Sequence, residues 1–264
     1  MTRSIPAVTT LGPVALEVLS TRRDGRCMGA TSRGLFLQTS SPWLVFLSWE
    51  PWRGPQTANL DRRLEGPAPG DPVRIDPEGL ELSGVRVDWS SGRAWQVPDP
   101  PGSASSAGVR HERALRLLAE ARRRGRESSL AHLLEAPELP DPVGLLGLGP
   151  GLTPSGDDVV LGMLLAGSRR TGPRPSEGLV AAARKRTTTL AANLLELAAR
   201  GEADERLLEA ADHVVAGSPC GLAFLDWGAH SGTDFLVGLA LEARMPEGWE
   251  QVYTFDPDRR PQGP

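Results

Sequence analysis

Two short strings carry residue types with chemistry to do: Ser155-Gly156-Asp157-Asp158 with Gly162 downstream, and Ser231-Gly232-Thr233-Asp234 with Gly238 downstream. Carboxylates beside hydroxyls at helix starts can accept the N–H bonds of a substrate amide, move a proton, or bind Mg²⁺. The residues themselves do not choose among these, and no metal ligand set is assigned. The first string is preceded by Gly147, Gly149 and Gly151, so it reads Gly-Leu-Gly-Pro-Gly-Leu-Thr-Pro-Ser-Gly-Asp-Asp before an apolar run over 159–166. A glycine-rich turn feeding a helix N-terminus offers free N–H groups and a positive dipole end to an anion. The candidate anion site is therefore the backbone around Gly149, Gly151 and Gly156 with the hydroxyls of Thr153 and Ser155, repeated by Ser231, Gly232 and Thr233.

Thr153-Pro154 suits the cap and first position of the first helix, and Ser231 suits the cap of the second. Acids in a first turn complement the dipole by about 0.3–1 kcal/mol each, which alone could explain Asp157, Asp158 and Asp234. Capping does not explain the run of glycines, nor why Ser-Gly-x-Asp occurs twice with the same interval to a further glycine. His230, just before the second string, could act as acid or base or donate to an oxyanion; a histidine beside a cap is also an ordinary surface residue. The loop lacks the Gly-Lys-Ser/Thr ending of a Walker motif. His111, His132 and His213 fall in expected helices without ligand spacing.

Residues 147–162, the segment Arg186-Thr187-Thr188-Thr189 with Asn193 and Leu194, and the block His230-Ser231-Gly232-Thr233-Asp234 together resemble a bacterial family that includes the AllH (YlbF) subunit of oxamate carbamoyltransferase. The resemblance covers mainly 143–242 and reaches loosely to 44–54 and the Gly54-Pro55 pair. It implies a subunit that works with FdrA and a third subunit to interconvert oxalurate plus phosphate with oxamate plus carbamoyl phosphate, in allantoin degradation and hence purine catabolism. It also implies that Thr188 and Asn193 form a second part of the site. Without it, the threonine-rich turn reads as helix packing.

These residues need elements to hold them. The segment 8–97 carries short apolar or alternating runs at 14–19, 34–38, 44–49, 72–75, 79–82 and 85–89, separated by turn residues such as Asp24-Gly25 and Glu78-Gly79. It predicts antiparallel strands in a barrel or sandwich, with Trp43, Trp49, Trp52, Trp89 and Trp95 as packing residues. A Pro/Ser/Gly-rich linker follows, and then helical periodicity over 111–124, 128–134, 154–168, 177–200, 204–216 and 232–243. The expected fold class is α+β: a β domain over 1–100, a linker over 101–110, an α-helical domain with the glycine-rich site over 111–245, and a frayed tail over 246–264.

With 264 residues, 23% charged, 39% hydrophobic and net charge −4, the chain is ordinary and globular, without the basic surface that nucleic acid needs. Lys185 is the sole lysine, and the arginines are dispersed. Cys27 and Cys220 are lone cysteines, neither a disulfide framework nor a zinc site. No apolar run has signal or membrane-spanning length, which predicts a cytoplasmic protein that meets no membrane.

The leading reading is a carbamoyltransferase-type subunit that binds a small anionic substrate at two helix N-termini, with partner subunits resembling FdrA and the third component. No cofactor is required by the residues; Mg²⁺ is the one they could take. Two rivals stand beside it: a non-catalytic ligand-binding or scaffolding subunit, and a small-molecule phosphotransferase.

Overall fold

The computed structural model describes residues 5–173, 176–246 and 249. The chain forms two compact units, 1–98 and 99–264.

The first unit is built on one sheet: β1 (Val8–Leu11), β2 (Asp24–Ala30), β3 (Gly34–Gln38), β4 (Leu44–Ser48), β5 (Thr57–Leu60), β6 (Pro72–Asp76), β7 (Gly79–Leu82), β8 (Val85–Asp88) and β9 (Arg93–Ala94), with helix α1 (Pro13–Thr21) after β1. The order is β8-β7-β6-β2-β3-β4-β5-β1-β9, and a bridge between Ala7 and Asp88 curls the sheet back on itself. The sheet is mixed where antiparallel strands were expected, because β4 pairs with β5, and β1 with β9, in parallel. The connection over 49–56, with Pro51, Gly54 and Pro55, looks like a hairpin turn but crosses over. Buried Asn59 pins it, donating to the carbonyls of Glu50 and Trp52 at 2.8 Å each while Thr10 donates to its Oδ1 at 2.5 Å. Gly12 is obligatory beside it, since a Cβ there would lie 2.0 Å from the carbonyl oxygen of Gly54.

Residues 14–19, read as a strand, are helical. Pro13 occupies the first turn, and Val14, Ala15, Val18 and Leu19 bury one face at helical spacing. Asp24-Gly25, read as a turn, lies in β2. Of Trp43, Trp49, Trp52, Trp89 and Trp95, only Trp95 is buried.

The second unit is helical: α2 (Ala107–Arg123), α3 (Pro142–Leu145), α4 (Ser155–Thr171), α5 (Glu177–Arg186), α6 (Thr189–Ala199), α7 (Glu205–Ala216) and α8 (Ser231–Glu242), with short 3-10 turns at Ala131–Leu134 and Ala223–Asp226. The α+β arrangement is as the sequence indicates. The single helix expected over 177–200 is two, because Thr187 turns extended and the Thr188 hydroxyl accepts the Ala191 N–H at 3.1 Å, capping a new start. Of the tail expected over 246–264, only Pro246 and Trp249 are among the described residues, and Trp249 is buried.

α4 and α8 form the centre of this unit and are buried on nearly every side. α6 and α7 pack on α4, and α2 packs on α8. The two central helices touch backbone to backbone at their glycines. A Cβ on Gly238 would lie 2.0 Å from the Val159 carbonyl oxygen, and one on Gly162 would lie 2.2 Å from that of Phe235. Beyond the crossing, Arg170 pairs with buried Glu242 at 2.9 Å, and Arg110 of α2 approaches the same carboxylate at 3.6 Å.

Candidate functional site

The Ser-Gly-x-Asp strings sit where the sequence puts them, at the starts of α4 and α8, but their hydroxyls do not cap. The residue before α4 is Pro154, and the one before α8 is His230; neither provides a side-chain cap. Thr153 and Ser231, expected as caps, instead face each other across the helix pair, their hydroxyl oxygens 3.1 Å apart. Ser231 also hydrogen-bonds Asp158, and Ser155 hydrogen-bonds Asp234. Each repeat thus donates its serine hydroxyl to the acid of the other. The downstream glycines are reciprocal too, Gly162 against the Phe235 carbonyl and Gly238 against that of Val159, and the first glycines of the repeats sit alike against preceding segments. Gly156 abuts the Leu145 carbonyl and Gly232 the Phe224 carbonyl, where a Cβ would come within 2.0 and 2.2 Å respectively. An approximate two-fold relation therefore connects the two helix starts.

The third acid breaks that symmetry. Asp157 stands where the second repeat has Thr233, and it fastens the loop. The Gly147 N–H donates to its Oδ1 at 3.0 Å and the Thr187 hydroxyl to its Oδ2. Thr188 donates to the Leu152 carbonyl at 2.5 Å, so the start of α6 joins those of α4 and α8. Thr233 turns back to the His230 carbonyl at 2.7 Å, which leaves it serving its own helix. Asn193 is buried within α6 and is hydrogen-bonded or otherwise paired. His230 is exposed and contributes its backbone carbonyl, which accepts the N–H groups of Thr233 and Asp234 at 2.9 and 3.0 Å.

Gly147, Gly149 and Gly151 all have positive φ (75°, 113° and 101°), which explains the triplet by backbone conformation. Among the described residues, the N–H groups of Gly149, Gly151, Leu152 and Thr153 donate to no partner. Thus helix N-termini, unpaired N–H groups and three buried carboxyls share one end of the unit.

Ser128 belongs to this site and has no sequence signal pointing to it. It lies in the segment after α2, and its hydroxyl donates to Asp234 Oδ1. Arg126, two residues earlier, holds the approach to α8 by donating to the Ala229 carbonyl at 3.1 Å.

Burial raises the pKa of all three acids. For Asp157 the Thr187 hydroxyl and Gly147 N–H oppose the rise. For Asp234, Ser128, Ser155 and the charge of His230 oppose it. Asp158 is carried well above the usual carboxylate range, by burial first and then by the neighbouring charges of Asp234 and Asp157, against Ser231 alone. Its Oδ2 is buried without a hydrogen-bond partner among the described residues. No group of three or more His, Cys, Asp or Glu among the described residues is placed to hold a metal ion. Neither thiol is poised as a nucleophile: burial pushes Cys220 up to about 11 and also raises Cys27. No helix among the described residues is long and apolar enough to cross a membrane.

Residues 145–243 match a family model described as oxamate carbamoyltransferase subunit AllH. The matched stretch spans the whole site from the end of α3 to the end of α8, Ser128 excepted, and leaves out the β unit. No curated protein and no solved structure matches the chain.

Proposed function

From the premise that residues 145–243 make this chain AllH-like, we propose that it is a subunit of a carbamoyltransferase-type complex whose helical unit binds the reacting anion at the starts of α4 and α8. The observation that carries the proposal is the reciprocal serine–aspartate exchange between the repeats. It brings two positive dipole ends together and sets two carboxyls in unlike surroundings at the same spot. The unpaired N–H groups of the glycine-rich loop supply donors for a carboxylate or phosphate oxygen.

In carbamoyl transfer, the amide nitrogen of oxamate attacks the carbonyl carbon of carbamoyl phosphate, the bond from that carbon to the phosphate oxygen breaks, and the proton lost by the nitrogen ends on the departing phosphate. Helix N-termini stabilise the departing phosphate. Asp234 is assigned as acceptor of the amide N–H: burial raises its pKa, but two hydroxyls and the His230 charge oppose that rise, where Asp158 has Ser231 alone. Asp157 is a positioning residue, both of its oxygens being spent on the loop and on Thr187. Partner subunits would supply whatever the isolated chain lacks.

Calorimetric titration of the full chain with carbamoyl phosphate, oxamate, phosphate and Mg-ATP tests this. Binding of carbamoyl phosphate or oxamate that Ser155→Ala and Ser231→Ala both weaken is the expected result. Silence toward all but Mg-ATP would turn the reading to phosphotransfer, and silence toward all four would leave no ligand site in the isolated chain. A second reading, a scaffolding subunit, is favoured by the fact that Asp157 and Asp234 are already satisfied internally. Phosphate release from carbamoyl phosphate and oxamate by the chain alone separates the two: turnover removes the scaffold.

A further inference from the structure

Hydrogen bonding closes around Asp157 and Asp234 but not around Asp158. Asp157 has a donor on each oxygen, and Asp234 takes Ser128 and Ser155, whereas Asp158 takes Ser231 alone and keeps a bare, buried Oδ2. The charges acting on Asp158 are Asp157 from its own helix and Asp234 from α8, with no cation among them. His230 at the α8 start acts on Asp234, α6 brings the hydroxyls of Thr187 and Thr188, α3 carries no charge, and exposed Arg186 approaches through its carbonyl, which a Cβ on Gly147 would meet at 2.4 Å.

We propose that Asp158 is kept as the neutral acid and that its Oδ2–H is the proton donor to an oxyanion, carboxylate or phosphate, bound where α4 and α8 begin. This rests on the functional reading above. An ionised Asp158 would repel the anion that the helix ends attract, and its bare oxygen would be a buried charge without a donor. The neutral acid removes both: the repulsion is gone, the bare oxygen carries a proton, and a donor is added at the α4 start one hydroxyl from the loop. Unlike surroundings splitting two carboxyls into donor and acceptor is a recurring arrangement in acid–base sites. Ser231, shared between Asp158 and Thr153 of the loop, keeps the acid one hydroxyl away from the unpaired loop N–H groups.

Infrared spectroscopy of the full chain without ligand tests the proton directly. At neutral pH a carbonyl stretch of a protonated carboxyl is expected, lost in Asp158→Asn and retained in Asp157→Asn and Asp234→Asn. Should Asp158→Asn not fold, loss of the band in Asp158→Ser assigns it instead; a wild-type spectrum without the band overturns the proposal. Titration with oxamate, whose carboxylate stays ionised, and with phosphate then tests the donor role. Affinity should fall about tenfold per pH unit above the folded-state pKa of Asp158. Asp158→Asn, which keeps an N–H donor, should bind without that dependence. Oxamate binding that ignores pH overturns the donor role. Binding of neither anion at any pH overturns the functional reading instead, while the infrared band still decides the protonation. Whichever anion binds identifies the oxyanion recognised.

Discussion

Asp158 also governs how stability depends on pH. Its folded-state pKa lies above the ordinary 3.8, so the folded chain binds the proton more tightly than the unfolded chain. The resulting stabilisation is full below 3.8 and is lost as pH rises through the raised folded-state value. Asp157 and Asp234 act in the same direction. Thermal melts followed by helical circular dichroism should show the midpoint falling as the solution is made more alkaline, with a shallower fall in Asp158→Asn. An unchanged slope in that variant would mean that Asp158 titrates normally. At the same scale, Ser155→Ala should cost about 1–3 kcal/mol, since it strips a donor from buried Asp234. A cycle with Asp234→Asn should show strong coupling in urea unfolding. The sequence made the types and spacing of these residues legible, because a repeat is visible without a structure. Their partners were not, since Ser128 and Asp234 are 106 residues apart and nothing local in Ser128 marks it.

Elements were legible where local pattern and tertiary demand agree. α4, α7 and α8 begin and end close to where glycines and apolar periodicity place them, and of the three only α7 has a side-chain cap, Asp204. They were illegible where a hydroxyl or a proline has two possible uses. Thr188 ends one helical run by starting another, and Pro13 opens a helix in a segment whose short apolar run imitates a strand. Thr188→Ala should therefore cost about 1 kcal/mol through the cap, and also loosen the loop through Leu152. Protease cleavage of the native protein within 147–153 is the readout, and should become faster. Gly238→Ala is harsher. Its new methyl would meet backbone at 2.0 Å, which no rotamer change can relieve, so a loss of at least about 1–3 kcal/mol is expected in denaturant melts. A normal midpoint for that variant would show that the helix pair can slide apart.

For the molecule as a whole, composition led to a β part followed by an α part, and the structure has both. The parallel pairs in the sheet were hidden because a short crossover and a hairpin turn draw on the same residues, proline and glycine. In the helical unit, polar interactions concentrate at the two ends of the central pair: acids and hydroxyls at the start, arginines and Glu242 at the finish. Glu242→Gln leaves Arg110 and Arg170 facing each other inside the protein, and about 3–5 kcal/mol of destabilisation is expected from unfolding titrations.

The exchange of serine hydroxyls between repeats also bears on how the chain could be divided. Cutting at residues 217–221, outside any helix, would separate α4 from α8. Each piece would then carry a buried acid whose serine donor is on the other piece, and a glycine face with nothing against it. Expressed together, the two pieces should find each other and rebuild the helical unit; expressed singly, neither should stay in solution. A split version of this protein would thus report on its own reassembly.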